Sequence, residues 1–151
     1  MDNKDRSILA LLETDARLGY TEIAAAVGLA PSSVHDRVRK LERRGLIKAY
    51  RAEIDYEAAG LPITAIVSLA LRPASPGDIP SKIAEFPQVE TCYSVAGDNS
   101  YALVVRAAST KDLEELLDAL RAKLEVVTRS TIVLSTPFER RPMLTARSEQ
   151  P

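Results

Sequence analysis

The stretch "GLAPSSVHDRVRKLERRGLIKAY", Gly28 to Tyr50, decides how this chain is read. Val34, Val38 and Leu41 recur at i, i+4 and i+7, which predicts one buried helical stripe. Pro31 suits the first turn of that helix, and Gly45 ends it after about Arg44. Projected at roughly 100° per residue, Ser32, Asp36, Arg39, Lys40 and Arg43 fall on the opposite face. Between His35 and Arg51, seven Lys or Arg residues meet only two acids, Asp36 and Glu42. A solvated surface helix is one reading of this pattern, with Asp36 and Lys40 as an ordinary i, i+4 pair. A surface made to lie against a phosphate backbone is the other.

The flanking residues favour the second reading. Asp2 or Asn3 can cap a first helix whose inner face carries Ile8, Leu9, Leu11 and Leu12. Thr21 is the expected cap of a short second helix, "TEIAAAVG", with Ile23, Ala24 and Val27 inward. Gly28 supplies the positive φ of a tight inter-helix turn. "LIKAYRAEI", from Leu46 to Ile54, is expected as a short β segment, a wing. Residues 1–50 therefore predict a winged helix-turn-helix. The major groove of double-stranded DNA admits one helix, whose first turns reach base edges while phosphates flank it. Ser32, Ser33, His35 and Asp36 occupy the base-reading end. Arg37, Arg39, Lys40, Arg43, Arg44 and Lys48 are phosphate candidates, and Arg39 is also placed to reach a guanine.

A linker is expected over residues 51–62, ending in "DYEAAGLP", after which the periodicity changes to two. "ITAIVSLAL" alternates, a helix follows with Ile79, Ile83 and Phe86, and "VETCYSVA" and "YALVVRAA" flank the turn "GDNS". An amphipathic helix carries Leu113, Leu116, Leu117, Leu120 and Leu124, and "VVTRSTIVLS" is a last strand. The fold class is thus α+β, with a ferredoxin-like βαββαβ domain over residues 63–136 and a polar tail over 137–151, expected to be loose. Right-handed crossovers put both helices on one sheet face. The other face is expected to carry Thr64, Ile66, Ala70, Cys92, Ala102, Val104 and Val133, and to be covered in a homodimer.

The bulk composition narrows the function classes. The 151 residues carry a net charge of −1, so a nucleic-acid surface has to come from local clustering. A single cysteine, Cys92, excludes an internal disulfide and points to a reducing, cytoplasmic setting. The start "MDNKDRSILALLE" is not a signal peptide, and no apolar run approaches the roughly 20 residues of a membrane span. His35 is the one histidine and lies on the basic helix, so no Ser/His/Asp set is available to the second domain. No phosphate-binding glycine loop, zinc motif or cofactor motif is present, and no catalytic or metal site is predicted.

The run from "LLETDARLGY" through "RAEID" resembles the leucine-responsive regulator/asparagine regulator family, the feast/famine regulators, and "VAGDNSYALVVR" resembles the central loop of that family's effector domain. The resemblance spans residues 3–135. It implies a transcription regulator whose dimers assemble further, to tetramers or octamers, and whose effector is an amino acid or related small molecule. It also implies that Gly97, Asp98, Asn99 and Ser100 hold this effector between dimers, with Tyr101, Thr131 and Val133 shaping the pocket. Two positions depart from the family pattern. Ala30 stands where a capping serine is usual, and Asn99 and Ser100 replace an aromatic and a second carboxylate. The alternative of the same architecture is a sirohaem decarboxylase subunit. That chemistry calls for histidine in the αβ domain, which has none.

Overall fold

The computed structural model describes residues 1–144. They divide into two compact units, Met1–Glu53 with the chain from Phe138 onward, and Ile54–Pro137.

The first unit holds three helices, α1 (Asn3–Thr14), α2 (Tyr20–Val27) and α3 (Pro31–Arg43). Asp2 caps α1 by accepting from the Asp5 N–H, and Asp5 accepts in return from the Asp2 N–H, a reciprocal capping box. The cap of α2 is Gly19, not Thr21. Glu22 reaches back to the Gly19 N–H, which starts the helix two residues earlier than a Thr21 cap would have set it. Gly28 closes α2 at φ 66° and donates to the Ala24 carbonyl. Ile8, Ile23, Val34, Val38 and Leu41 meet in one core, each at most 1% exposed. Burial at this level is worth roughly 1.5–3 kcal/mol per large apolar side chain. Lys4 Nζ donates to the Val27 carbonyl at 2.7 Å, pinning α1 to the end of α2.

The segment expected as a wing contains no strand. Residues 46–54 follow a turn and then run irregularly. No strand among the described residues lies beside them, and a strand's N–H and C=O groups need a paired neighbour. The tail is likewise less loose than expected at Leu144, whose N–H donates to Glu13 and whose side chain packs on the helical core. The remainder of the expected tail, 145–151, lies outside the described residues.

In the second unit, β1 (Ile63–Leu71), α4 (Ile79–Ile83), β2 (Val89–Ser94), β3 (Tyr101–Ala107), α5 (Thr110–Leu124) and β4 (Val126–Ile132) follow the expected βαββαβ order. The strands form one antiparallel sheet in the order β2-β3-β1-β4. Ala65, Val67, Leu69, Leu103 and Val105 share its inner face and pack against Ile79 and Ile83 of α4 and the five α5 leucines. Residues 55–61, expected as linker, form a hydrogen-bonded turn within this unit, with the Ala59 N–H on the Asp55 carbonyl and the Leu61 N–H on the Tyr56 carbonyl.

One face assignment changes. Cys92 lies opposite Leu103 and so belongs to the helix-covered face, at the sheet's edge. The cause is a bulge between Val89 and Thr91, which inserts Glu90 and reverses the alternation beyond it. The uncovered face carries Thr64, Ile66, Ala70, Thr91, Tyr93, Ala102, Val104, Val127 and Thr131 by register. Ile66, Tyr93 and Val127 on it are exposed.

Candidate nucleic-acid interface and effector loop

The second helix of the helix-turn-helix presents its polar face outward because Val34, Val38 and Leu41 bury the opposite face in the core. Ser32, Ser33 and Asp36 at its start are exposed, and His35 is half-buried. The His35 ring meets Tyr20 edge-on at 5.2 Å, and its Nδ1 lies 3.5 Å from Asp36. Arg39, Lys40, Arg43 and Arg44 continue outward along the helix, and Lys48 follows it. All five cations are exposed, and none forms an ion pair with a described residue. A row of unneutralised cations on one rigid face has the electrostatics that polyanions require.

Arg37 differs from them. Its Nη1 donates to Asp2 and to Asp5, both at 2.7 Å. The carboxylates push its already high pKa further up, while the Asp5 N–H and the Arg37 guanidinium hold Asp2 below its ordinary range. Arg37 therefore braces the helix internally, with Nη1 committed to carboxylates of the protein itself, unlike the other phosphate candidates. Helical projection carried the signal: Arg37 follows Val34 by three residues and precedes Leu41 by four, on the margin of the buried stripe.

The loop expected to hold an effector closes tightly. The Val95 N–H donates to the Ser100 carbonyl, and the Ser100 N–H donates to the Leu69 carbonyl. Gly97 adopts φ 140°, a conformation that favours glycine. Asp98 is exposed, while Asn99 and Ser100 are half-buried. Tyr101 pairs with Leu69 and leans on the helix-covered core. Thr131 pairs with Ile66 on the opposite face, and Val133 follows it, its N–H on the Thr64 carbonyl. One protomer therefore does not gather the seven candidate residues. The loop and Tyr101 sit toward one end of the sheet, and Thr131 and Val133 toward the other.

Comparison with known proteins settles the family. The AsnC-type helix-turn-helix domain matches residues 1–42, and the Lrp/AsnC ligand binding domain matches residues 64–143. The chain belongs to the Lrp/AsnC family. It is similar to the HTH-type transcriptional regulator LrpA of Mycobacterium tuberculosis, 43% identical over 93% of this chain and 95% of that protein. Among solved structures it resembles the feast or famine regulatory protein Rv3291c of M. tuberculosis in complex with L-methionine, at 41% identity and TM-score 0.92 over 95% of this chain and 99% of that one. Bacillus subtilis LrpC matches at 32% identity and TM-score 0.82, over 89% and 95%. As an Lrp/AsnC protein the chain is an HTH-type transcriptional regulator and not an enzyme, and the decarboxylase alternative is set aside. No helix among the described residues is long and apolar enough to cross a membrane.

Proposed function

We propose that this Lrp/AsnC chain is a cytoplasmic, sequence-specific double-stranded DNA-binding regulator that works as a homodimer or a larger assembly and responds to an amino acid or related small molecule. The observation that carries the DNA half is the exposed row Arg39, Lys40, Arg43, Arg44 and Lys48 on and just after α3. Ser32, Ser33, His35 and Asp36 lead that helix into the groove and read base edges. Two copies related by a twofold axis then read a roughly palindromic site, with half-sites about one helical turn or a multiple apart.

The exposed Ile66, Tyr93 and Val127 on the uncovered sheet face support self-association through the second unit. Assembly of such dimers into tetramers or octamers brings the Gly97–Ser100 loop of one protomer near residues of another, which is how Thr131 and Val133 come to share a pocket with it. Asp98 pairs the ammonium of an amino acid, and the loop N–H groups receive its carboxylate. The L-methionine complex of Rv3291c supports this ligand class.

Footprinting of the full chain on the DNA upstream of its own coding sequence, with and without a panel of amino acids, tests both halves. A protected, roughly palindromic site that at least one amino acid alters is the expected result. Uniform, sequence-independent protection would overturn the reading.

A further inference from the structure

Asp5 is the one charged residue buried in the described structure, at 8% exposure. It is not left unpaired. One of its carboxylate oxygens, Oδ2, accepts the Asp2 N–H, and the other, Oδ1, accepts Arg37 Nη1. Asp2 is arranged the same way, with Oδ1 on the Asp5 N–H and Oδ2 on Arg37 Nη1. Two acids that cap α1 therefore close on a cation projecting from the middle of α3, 32 and 35 residues away in sequence. The Val34–Val38–Leu41 stripe sets α3 against the core but is apolar, and apolar packing is non-directional. A charge-assisted pair at a fixed distance adds a directional constraint on helix rotation.

We propose that Asp2, Asp5 and Arg37 form a clamp that fixes the rotation of α3, making Arg37 a positioning residue for base reading by Ser32, Ser33, His35 and Asp36. The proposal rests on the DNA-binding reading above. It differs from a phosphate contact in what it controls. A phosphate contact contributes to every duplex alike and steepens the salt dependence. A rotation clamp contributes to the right duplex over the wrong one, because base-edge hydrogen bonds fail when donors are turned away. Only the clamp is insulated from counterion release, since its anions belong to the protein.

The test compares full-length wild type, Arg37→Gln, Asp2→Asn and Arg39→Ala. Binding is measured by fluorescence anisotropy to the footprinted duplex and to a scrambled duplex of equal length, across a salt series. Asp2→Asn keeps a capping side chain and removes only the charge, so it can be read even if Arg37→Gln does not fold. The clamp predicts that Arg37→Gln lowers the ratio of specific to scrambled affinity about tenfold and Asp2→Asn about threefold, with the slope of log affinity on log salt unchanged. Arg39→Ala flattens that slope. A slope flattened by about 0.9 in Arg37→Gln, the value for one phosphate no longer neutralised, would make Arg37 a phosphate ligand and overturn the proposal. An unchanged ratio in the folded variants, with only the melting temperature lowered, would overturn it too. Failure of the wild type to prefer the footprinted duplex is a different result, and it falls on the proposed function.

Discussion

The Tyr50 hydroxyl donates a hydrogen bond to Glu42 Oε1 at 2.9 Å, tying the irregular segment after α3 back to the helix. Partial burial, followed by this bond and the nearby Glu42 charge, pushes the Tyr50 pKa up from 10.0 to about 12. A raised pKa means that the folded state holds the proton more tightly. The stability this contributes is complete below pH 10 and is lost as pH rises through about 12. In a spectrophotometric titration of the five tyrosines, one is expected to ionise near pH 12. Tyr50→Phe removes that step, and Glu42→Gln moves it down. Five tyrosines titrating together near pH 10 would contradict the assignment.

Glu90 and Arg106 make a different kind of pair. Their side chains are 16% and 13% exposed, and Arg106 Nε donates to Glu90 Oε2 at 2.8 Å. Arg106 Nη1 also donates to Thr64, and the guanidinium lies 4.5 Å over the Tyr56 ring, fastening the 55–61 turn to the sheet. Removing one partner weakens the compensation of a largely buried charge. Glu90→Gln is therefore expected to destabilise the protein by about 3 kcal/mol, read as a lower urea midpoint at unchanged slope. The double variant Glu90→Gln/Arg106→Met should recover part of that loss, because it leaves no uncompensated charge.

Periodicity made most of the fold legible. The stripe of Val34, Val38 and Leu41 and the α5 leucines gave the buried helix faces, and the strand alternation gave the sheet. What periodicity cannot carry is long-range pairing. The bulge at Glu90 breaks the parity of β2, so Cys92 faces the helices although simple alternation sends it the other way. "LIKAYRAEI" is expected as a β segment from its place after the helix, but it pairs with no strand among the described residues, and that pairing is not written in the stretch itself. The same limit governs the site. Arg39, Lys40 and Arg43 follow from helical projection alone, whereas the partners of Arg37 lie in another helix and its cap. The effector set was gathered by family resemblance, and strand register divides it between two faces of the sheet.

Arg39 points straight out from the stripe and forms no ion pair with a described residue. A side chain so placed is free to meet DNA without first breaking a bond. Arg39→Ala is expected to weaken specific binding at least tenfold, about 1.4 kcal/mol, and to flatten the salt slope by about 0.9 for each phosphate that Arg39 neutralises. Unchanged affinity at moderate salt would remove Arg39 from the interface.

Asp98 is exposed at the tip of a loop whose geometry is held by backbone bonds of Val95 and Ser100, not by the Asp98 side chain. Asp98→Ala should therefore leave the fold and basal DNA binding intact while abolishing the response to an amino acid. Calorimetry with the amino acid that alters the footprint reads the binding step directly. An undiminished heat of binding in the variant would exclude the loop from the pocket.

Ala30 precedes α3 with extended backbone, φ −75° and ψ 146°, and makes no side-chain cap bond. The first-turn N–H groups of the helix thus lack a local side-chain acceptor, although Ala30 already has the geometry of a capping residue. A serine there needs no backbone adjustment, and its hydroxyl oxygen can accept from an N–H two or three residues on. Ala30→Ser is expected to stabilise the first unit by about 1 kcal/mol, seen as a higher melting temperature and urea midpoint. Because no charge is added, the salt slope of DNA binding should stay the same. A variant no more stable than wild type would mean that the α3 N–H groups are already satisfied by water at no net cost.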